Sequence, residues 1–303
     1  MIVLERPGAV RLFFARQGSV VQRIWPQVLC VALVSTAIVA SHRLAPGWVP
    51  AVSPAPFTLI GIALSIFLGF RNSASYDRWW EGRRRWGQLL QAARDIARQT
   101  MILDEGPGRP SPERRRIVSL VILFAHALLR RMRPQDGPPP PDPAELPGLS
   151  RAGNPPDFVL GAIAAEIAGL QRSGRLTDVQ ALPLHESLVR LSSAQAGCER
   201  ILTTPLPFAY TLLMHRTAYV FCFALPFGLA DALGWAAPFA TAFVAYNFFG
   251  VDALSEELEE PFGLLPNDLP IRALATTVEI NLREALGETD LPPWPQPVNC
   301  VLI

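Results

Sequence analysis

The sequence predicts an all-α membrane protein: four transmembrane helices in two hairpins, with a cytosolic helical bundle. Three observations carry that prediction. Hydrophobic residues make up 50% of the 303 and charged residues only 17%, against the ~25% charged residues of an average soluble domain. The apolar residues gather in long runs, 24–44, 57–70, 206–229 and 232–251. The arginines gather as well, crowding the N-terminus and residues 71–98, whereas 45–56 and 228–236 carry one Asp and no Lys or Arg. Cytoplasmic loops hold the excess of Lys and Arg, so both termini and the long middle section are expected in the cytoplasm.

Residues 1–23 intersperse Arg6, Arg11, Arg16 and Arg23 with Val, Leu and Phe. They read as an amphipathic segment on a membrane surface, with a disordered basic leader as the alternative. No short apolar region before a cleavage site suggests a signal peptide. Residues 24–81 form the first hairpin. Its first helix starts near Ile24, with Pro26 suited to a first turn. A proline-rich, uncharged loop (45–56) leads to the second helix.

Residues 82–205 form the cytosolic helical region. Charged and apolar positions alternate through 88–103 and 114–132, two amphipathic helices separated by "DEGPGRPSP". The apolar stretch 117–129 is shorter than the ~20 residues that a span requires, so it reads as a buried cytosolic helix. A Pro-rich loop covers 133–156. Two more helices fill 157–200, with Gly174 and Pro183 as punctuation. Residues 206–251 form the second hairpin, and 252–303 hold the acidic "SEELEE" and an extended, Pro-rich tail. The carboxylates Glu256, Glu257, Glu259 and Glu260 are expected to pair with arginines of 78–85 or to face solvent.

Several function classes recede on composition. A net charge of +1 argues against a nucleic-acid binder. Cys30, Cys198, Cys222 and Cys300 show no metal-ligand or disulfide spacing, and Cys30 and Cys222 read as packing residues. His42, His126, His185 and His215 are scattered, and no hydrolase, zinc-protease or P-loop motif is present, so no enzyme and no cofactor is expected. His126 reads as a core histidine. His215, beside Arg216 in an apolar run, is either functional or a structural pair facing the bundle. Trp25, Trp79, Trp80 and Trp86 fit an interfacial belt.

The second helix is unusual. Its apolar run of 14 residues, Phe57 to Phe70, continues into Arg71 with no helix breaker before Gly82. Ile62, Ile66 and Phe70 recur every four residues and form one apolar stripe. Gly61, Ser65, Gly69 and Ser73 form a second, the small-residue pattern by which membrane helices approach closely. A ring of such apolar side chains around a narrow passage can gate by dewetting. Asn72, Ser73, Ser75, Tyr76 and Asp77 would then lie where the passage widens into water. Ordinary core packing is the competing reading of the same stripe.

The stretch "FLGFRNSASYDRWWEGRRRWG" (67–87) resembles the signature of the bestrophin family. "CERILTTPLPFAYTLLMHR" (198–216) and "EELEEPFGLLPNDLPI" (256–271) resemble two further family segments, in the same order. The resemblance implies a homopentameric ion channel of the bacterial inner membrane. Its hydrophobic neck would fall on Ile62, Ile66 and Phe70, with Gly61, Ser65 and Gly69 packing beside the pore and Arg71, Asn72, Asp77 and Arg78 near the vestibule. A second constriction is expected between Arg175 and Leu191. Animal members carry an acidic calcium clasp after N-P-F-G; here "LLPND" leaves only Asp268, so no metal is expected. Resemblance to bacterial relatives implies small monovalent cations as the permeant ions. An anion- or chloride-selective channel is the alternative, and a helical membrane scaffold without transport a more distant one. The implied partners are copies of the same chain and membrane lipids, with no nucleic acid.

Overall fold

The computed structural model describes residues 1–3, 8, 18–44, 52–106, 109–135 and 146–303. Most of the expected amphipathic segment 1–23, part of the loop 45–56 and half of the Pro-rich loop 133–156 lie outside the described residues. The chain is all-α: α1 Val21–Leu44, α2 Ala55–Gln99, α3 Pro112–Met132, α4 Pro155–Arg172, α5 Asp178–Thr203, α6 Phe208–Leu233, α7 Ala237–Glu259 and α8 Ile271–Ala285. Among the described residues, extended pairing is limited to isolated bridges joining Val301 to Ile2 and to Val298. The chain divides into two compact units, one made of Leu4–Trp79 and Pro205–Pro261, the other of Met1–Val3, Trp80–Thr204 and Phe262–Ile303.

The first unit contains the apolar helices. Among the described residues, three helical stretches are long and apolar enough to cross a membrane: Val21–Leu44, Ala55–Leu103 and Phe208–Glu259. The last of these is α6 and α7 joined by a 3-10 turn, Gly234–Ala236, where Gly234 takes φ +51°, a conformation that strains other residues. Helices α1, α6 and α7 pack against one another. Their core includes Ile24, Val31, Ala218, Phe221, Ala245 and Phe249, joined by Leu64 and Leu68 of α2. Helix α1 begins at Val21, so Pro26 lies inside it and not in its first turn. Cys222 is buried as expected, but Cys30 is exposed on the single chain.

The second unit is a helical bundle. Helix α3 is buried on nearly every face and packs against α4 and α8. Ser111 caps it by accepting from Arg114 N at 3.1 Å, with Pro112 at the first position, where its missing N–H costs nothing. Helix α5 starts at a reciprocal capping box between Thr177 and Gln180. Pro183, expected as punctuation, lies inside the helix near its start. Trp86, expected at a membrane interface, is fully buried in this bundle with Leu89, Ala93 and Ile96; its large apolar area is better spent in a core.

The bundle's buried polar groups have specific partners. His126 Nε2 lies 2.8 Å from Glu279 Oε2, and that bond is the main cause holding the Glu279 carboxyl below its usual range. Arg133 donates to Phe262 O at 2.7 Å and Leu269 O at 2.6 Å. Burial lowers the Arg133 guanidinium to about 10 and pushes the Cys198 thiol up to about 12, the state of a packing residue and not of a nucleophile.

Candidate functional site

Helix α2 runs unbroken for 45 residues. Between Ala55 and Ser75 it buries one narrow stripe in its own unit: Leu64, Leu68, Arg71 and Ser75. Ile62, Ile66 and Phe70 are 57%, 52% and 63% exposed on the single chain. With 3.6 residues per turn, the two sets point roughly 170° apart. The apolar stripe singled out in the sequence is therefore not core of its own chain, the competing reading of its periodicity. It lies on the surface, where lipid or another subunit must cover it.

The small-residue stripe divides. A Cβ on Gly61 would come within 3.1 Å of the Phe221 ring, so this glycine serves packing against α6 of the same chain. Gly69 has open space around it, and Ser65, exposed, returns its hydroxyl to Gly61 O at 2.7 Å.

The polar continuation is more ordered than a row of vestibule side chains. Arg71 is only 2% exposed and bonds Asp252 Oδ1 of α7 through Nη1. Arg71 is thus held inside its own unit, where a buried cation requires a counter-charge. The other oxygen of Asp252 lies 2.7 Å from His215 Nδ1, and Arg71 Nη2 is 3.9 Å from Glu259 Oε2. His215 thus pairs with Asp252 and not with neighbouring Arg216. Asn72 accepts from Ser255 Oγ at 3.4 Å, Arg78 donates to Glu259 O at 3.0 Å, and Asp77 is exposed.

Of the acidic segment, Glu256 and Glu260 are exposed, as the solvent-facing alternative expected, and the described ion pairs of its carboxylates are with arginines outside 78–85. Glu256 pairs with Arg23 at 2.6 Å, and Glu259 faces Arg71. Asp268 is buried and accepts from Leu265 N at 2.6 Å. Among the described residues, no three His, Cys, Asp or Glu side chains come together as a metal site. Sequence reasoning passed over Asp252; its signal was a lone carboxylate within an apolar run, with Arg71 as the complementary anomaly.

A family model described as "Bacterial/Fungal Bestrophin protein" matches residues 1–284. The chain belongs to this bestrophin family. Among its relatives, the voltage-dependent anion channel-forming protein mll4386 of Mesorhizobium japonicum is 43% identical over 291 residues, covering 95% of this chain and 93% of the relative. The voltage-dependent anion channel-forming protein YneE of Salmonella typhi is 39% identical over 299 residues, with 96% of each chain covered. The crystal structure of a bacterial bestrophin homolog from Klebsiella pneumoniae superimposes with a TM-score of 0.81 at 37% identity, covering 88% of this chain and 99% of that one.

The bestrophin assignment makes the chain a multi-pass, all-α protein of the bacterial inner membrane and a member of a channel family, not an enzyme. It also corrects one expectation. The relatives carry the name of anion channels, so the preference for cations drawn from the sequence is withdrawn. An apolar ring carries no charge of its own to favour either sign, and that left the earlier preference without a physical anchor.

Proposed function

We propose that this bestrophin is a homopentameric channel that conducts small monovalent anions through a hydrophobic neck. The observation that supports it best is the outward turn of Ile62, Ile66 and Phe70, opposite the single stripe by which α2 packs on its own chain. Five copies of that surface around an axis would form stacked apolar rings, with Ser65 and Gly69 allowing close approach between subunits. Anions would cross hydrated vestibules near Asn72, Asp77 and Arg78 and shed part of their hydration at the rings. The anion reading rests on the names of relatives up to 43% identical.

In this arrangement residues 24–81 and 206–251 are four crossings in two hairpins, while 82–205 and 252–303 lie in the cytoplasm with both termini. The second constriction falls on α5, between Arg175 and Leu191, where Val179 and Leu182 are exposed.

The deciding experiment is the reversal potential of the purified protein in planar bilayers under a KCl gradient. A value near the chloride equilibrium potential supports the proposal. A value near that of potassium overturns the anion reading, and absence of current from assembled protein overturns the channel.

A further inference from the structure

Among the side chains around the pore helix, Asp252 holds an unusual position. It belongs to α7 and not to the helix that carries the neck. Its Oδ1 accepts from Arg71, the residue that follows Phe70, and its Oδ2 is bonded to His215 of α6. One carboxylate thus joins α2, α6 and α7. The His215 ring lies 4.5 Å from the Tyr219 ring, and Tyr219 lies 4.5 Å from Phe249 on α7, both pairs tilted, so the histidine packs against an aromatic pair.

Elsewhere along this part of α2 the directional contacts are neutral hydrogen bonds, from Tyr210 Oη to Phe67 O at 3.1 Å and from Ser255 Oγ to Asn72 Oδ1 at 3.4 Å, with Arg78 reaching Glu259 O two turns further on. Leu64 and Leu68 pack against apolar side chains, and an apolar stripe resists sliding or turning only weakly, because hydrophobic contact has no preferred direction. Ser75 Oγ and Arg71 Nε have no hydrogen-bond partner among the described residues. The second carboxylate near Arg71, on Glu259, stands at 3.9 Å, beyond hydrogen-bond reach. The buried, charged restraint on this turn of α2 therefore falls on Asp252. A small rotation of α2 would swing Phe70, one residue from Arg71, relative to any axis that Ile62 and Ile66 face.

We propose that Asp252 is a positioning residue for ion conduction: by holding Arg71 it sets the rotation and height of the pore helix, and so the aperture at Phe70. The inference rests on the neck reading given above. The carboxylate need not meet the permeating ion.

The test uses the full-length assembly in planar bilayers, with sizing of each variant. Asp252→Asn is expected to assemble and to change unitary current by about threefold or more at an unchanged reversal potential, since a displaced apolar ring alters wetting but not charge selection. Asp252→Glu is expected to restore most of the current. Ile66→Ala serves as the comparison. If it changes unitary current while Asp252→Asn does not, the inference is overturned and the neck stands. If neither changes it, the neck reading fails and takes the inference with it. If Asp252→Asn shifts the reversal potential at unchanged current, the carboxylate acts as a charge facing the ion, and positioning is overturned. Should Asp252→Asn fail to assemble, the paired Arg71→Met, Asp252→Leu variant removes both charges together, a replacement that buried pairs often tolerate. Wild-type current from that variant overturns the proposal; altered current supports it.

Discussion

His126 and Glu279 meet at 2.8 Å inside the helical bundle of the second unit and join α3 to α8. The bond holds the Glu279 carboxyl below its usual value of 4.5. A carboxyl whose folded value is depressed gives stability that is fully present above the unfolded value and is lost as pH falls through the folded one. Thermal unfolding of this unit should therefore lose stability progressively as pH drops below about 4.5. Glu279→Gln should flatten that part of the profile while lowering the melting temperature near neutral pH. Melting curves from about pH 6 to about pH 3 check both; equal slopes for the two proteins would refute the assignment.

Arg133 is bound to a loop through two backbone carbonyls, Phe262 O and Leu269 O. Replacement by Met keeps much of the volume but leaves both oxygens without their charged donor. A loss of about 2–4 kcal/mol is expected, because hydrogen bonds to a charged group contribute about 1.5–3 kcal/mol each and partial solvation recovers some of that. Chemical denaturation of the detergent-solubilised protein measures it, and a loss under about 1 kcal/mol would mean that the loop stays closed without the arginine.

Two glycines, Gly228 on α6 and Gly69 on α2, should respond differently to added bulk. A Cβ on Gly228 would meet the Phe57 ring at 2.5 Å, so Gly228→Ala is expected to cost about 1–3 kcal/mol in the packing of α6 on α2. Gly69 has no neighbour within 4 Å in its own chain. Gly69→Leu should leave helical content by circular dichroism unchanged and abolish the oligomer on sizing. An intact oligomer would show that the Gly69 surface faces something other than a neighbouring subunit.

Ile66 is 52% exposed and stands at the middle of its stripe. Ile66→Ala should widen and wet the proposed ring, raising unitary conductance by about twofold or more, because dewetting in a narrow passage depends steeply on its radius and polarity. Planar-bilayer recording of single channels is the measurement. Unchanged conductance would count against the neck.

Much of this architecture was legible in the sequence. The apolar runs gave α1, α6 and α7, and the four-residue recurrence from Ile62 to Phe70 identified one face of α2. What escaped was decided by contacts at long sequence separation. Trp86 has the composition of a membrane-interface residue, and only the packing of the bundle shows it buried. Arg71 reads as a charge at the edge of a span, and its counter-ion lies 181 residues away. Gly61 and Gly69 share a stripe by spacing, yet one faces Phe221 and the other open space. The sign of the permeant ion had no local signature at all, because Ile and Phe carry no charge.

Between residues 55 and 75, α2 buries Leu64, Leu68, Arg71 and Ser75 in its own unit. Phe57, Gly61 and Asn72 make further contacts within the chain, whereas Ile62, Ile66 and Phe70 stand exposed on the opposite face. Side chains on the outward stripe can therefore be exchanged with little penalty to the folding of the single chain, whatever they meet outside it.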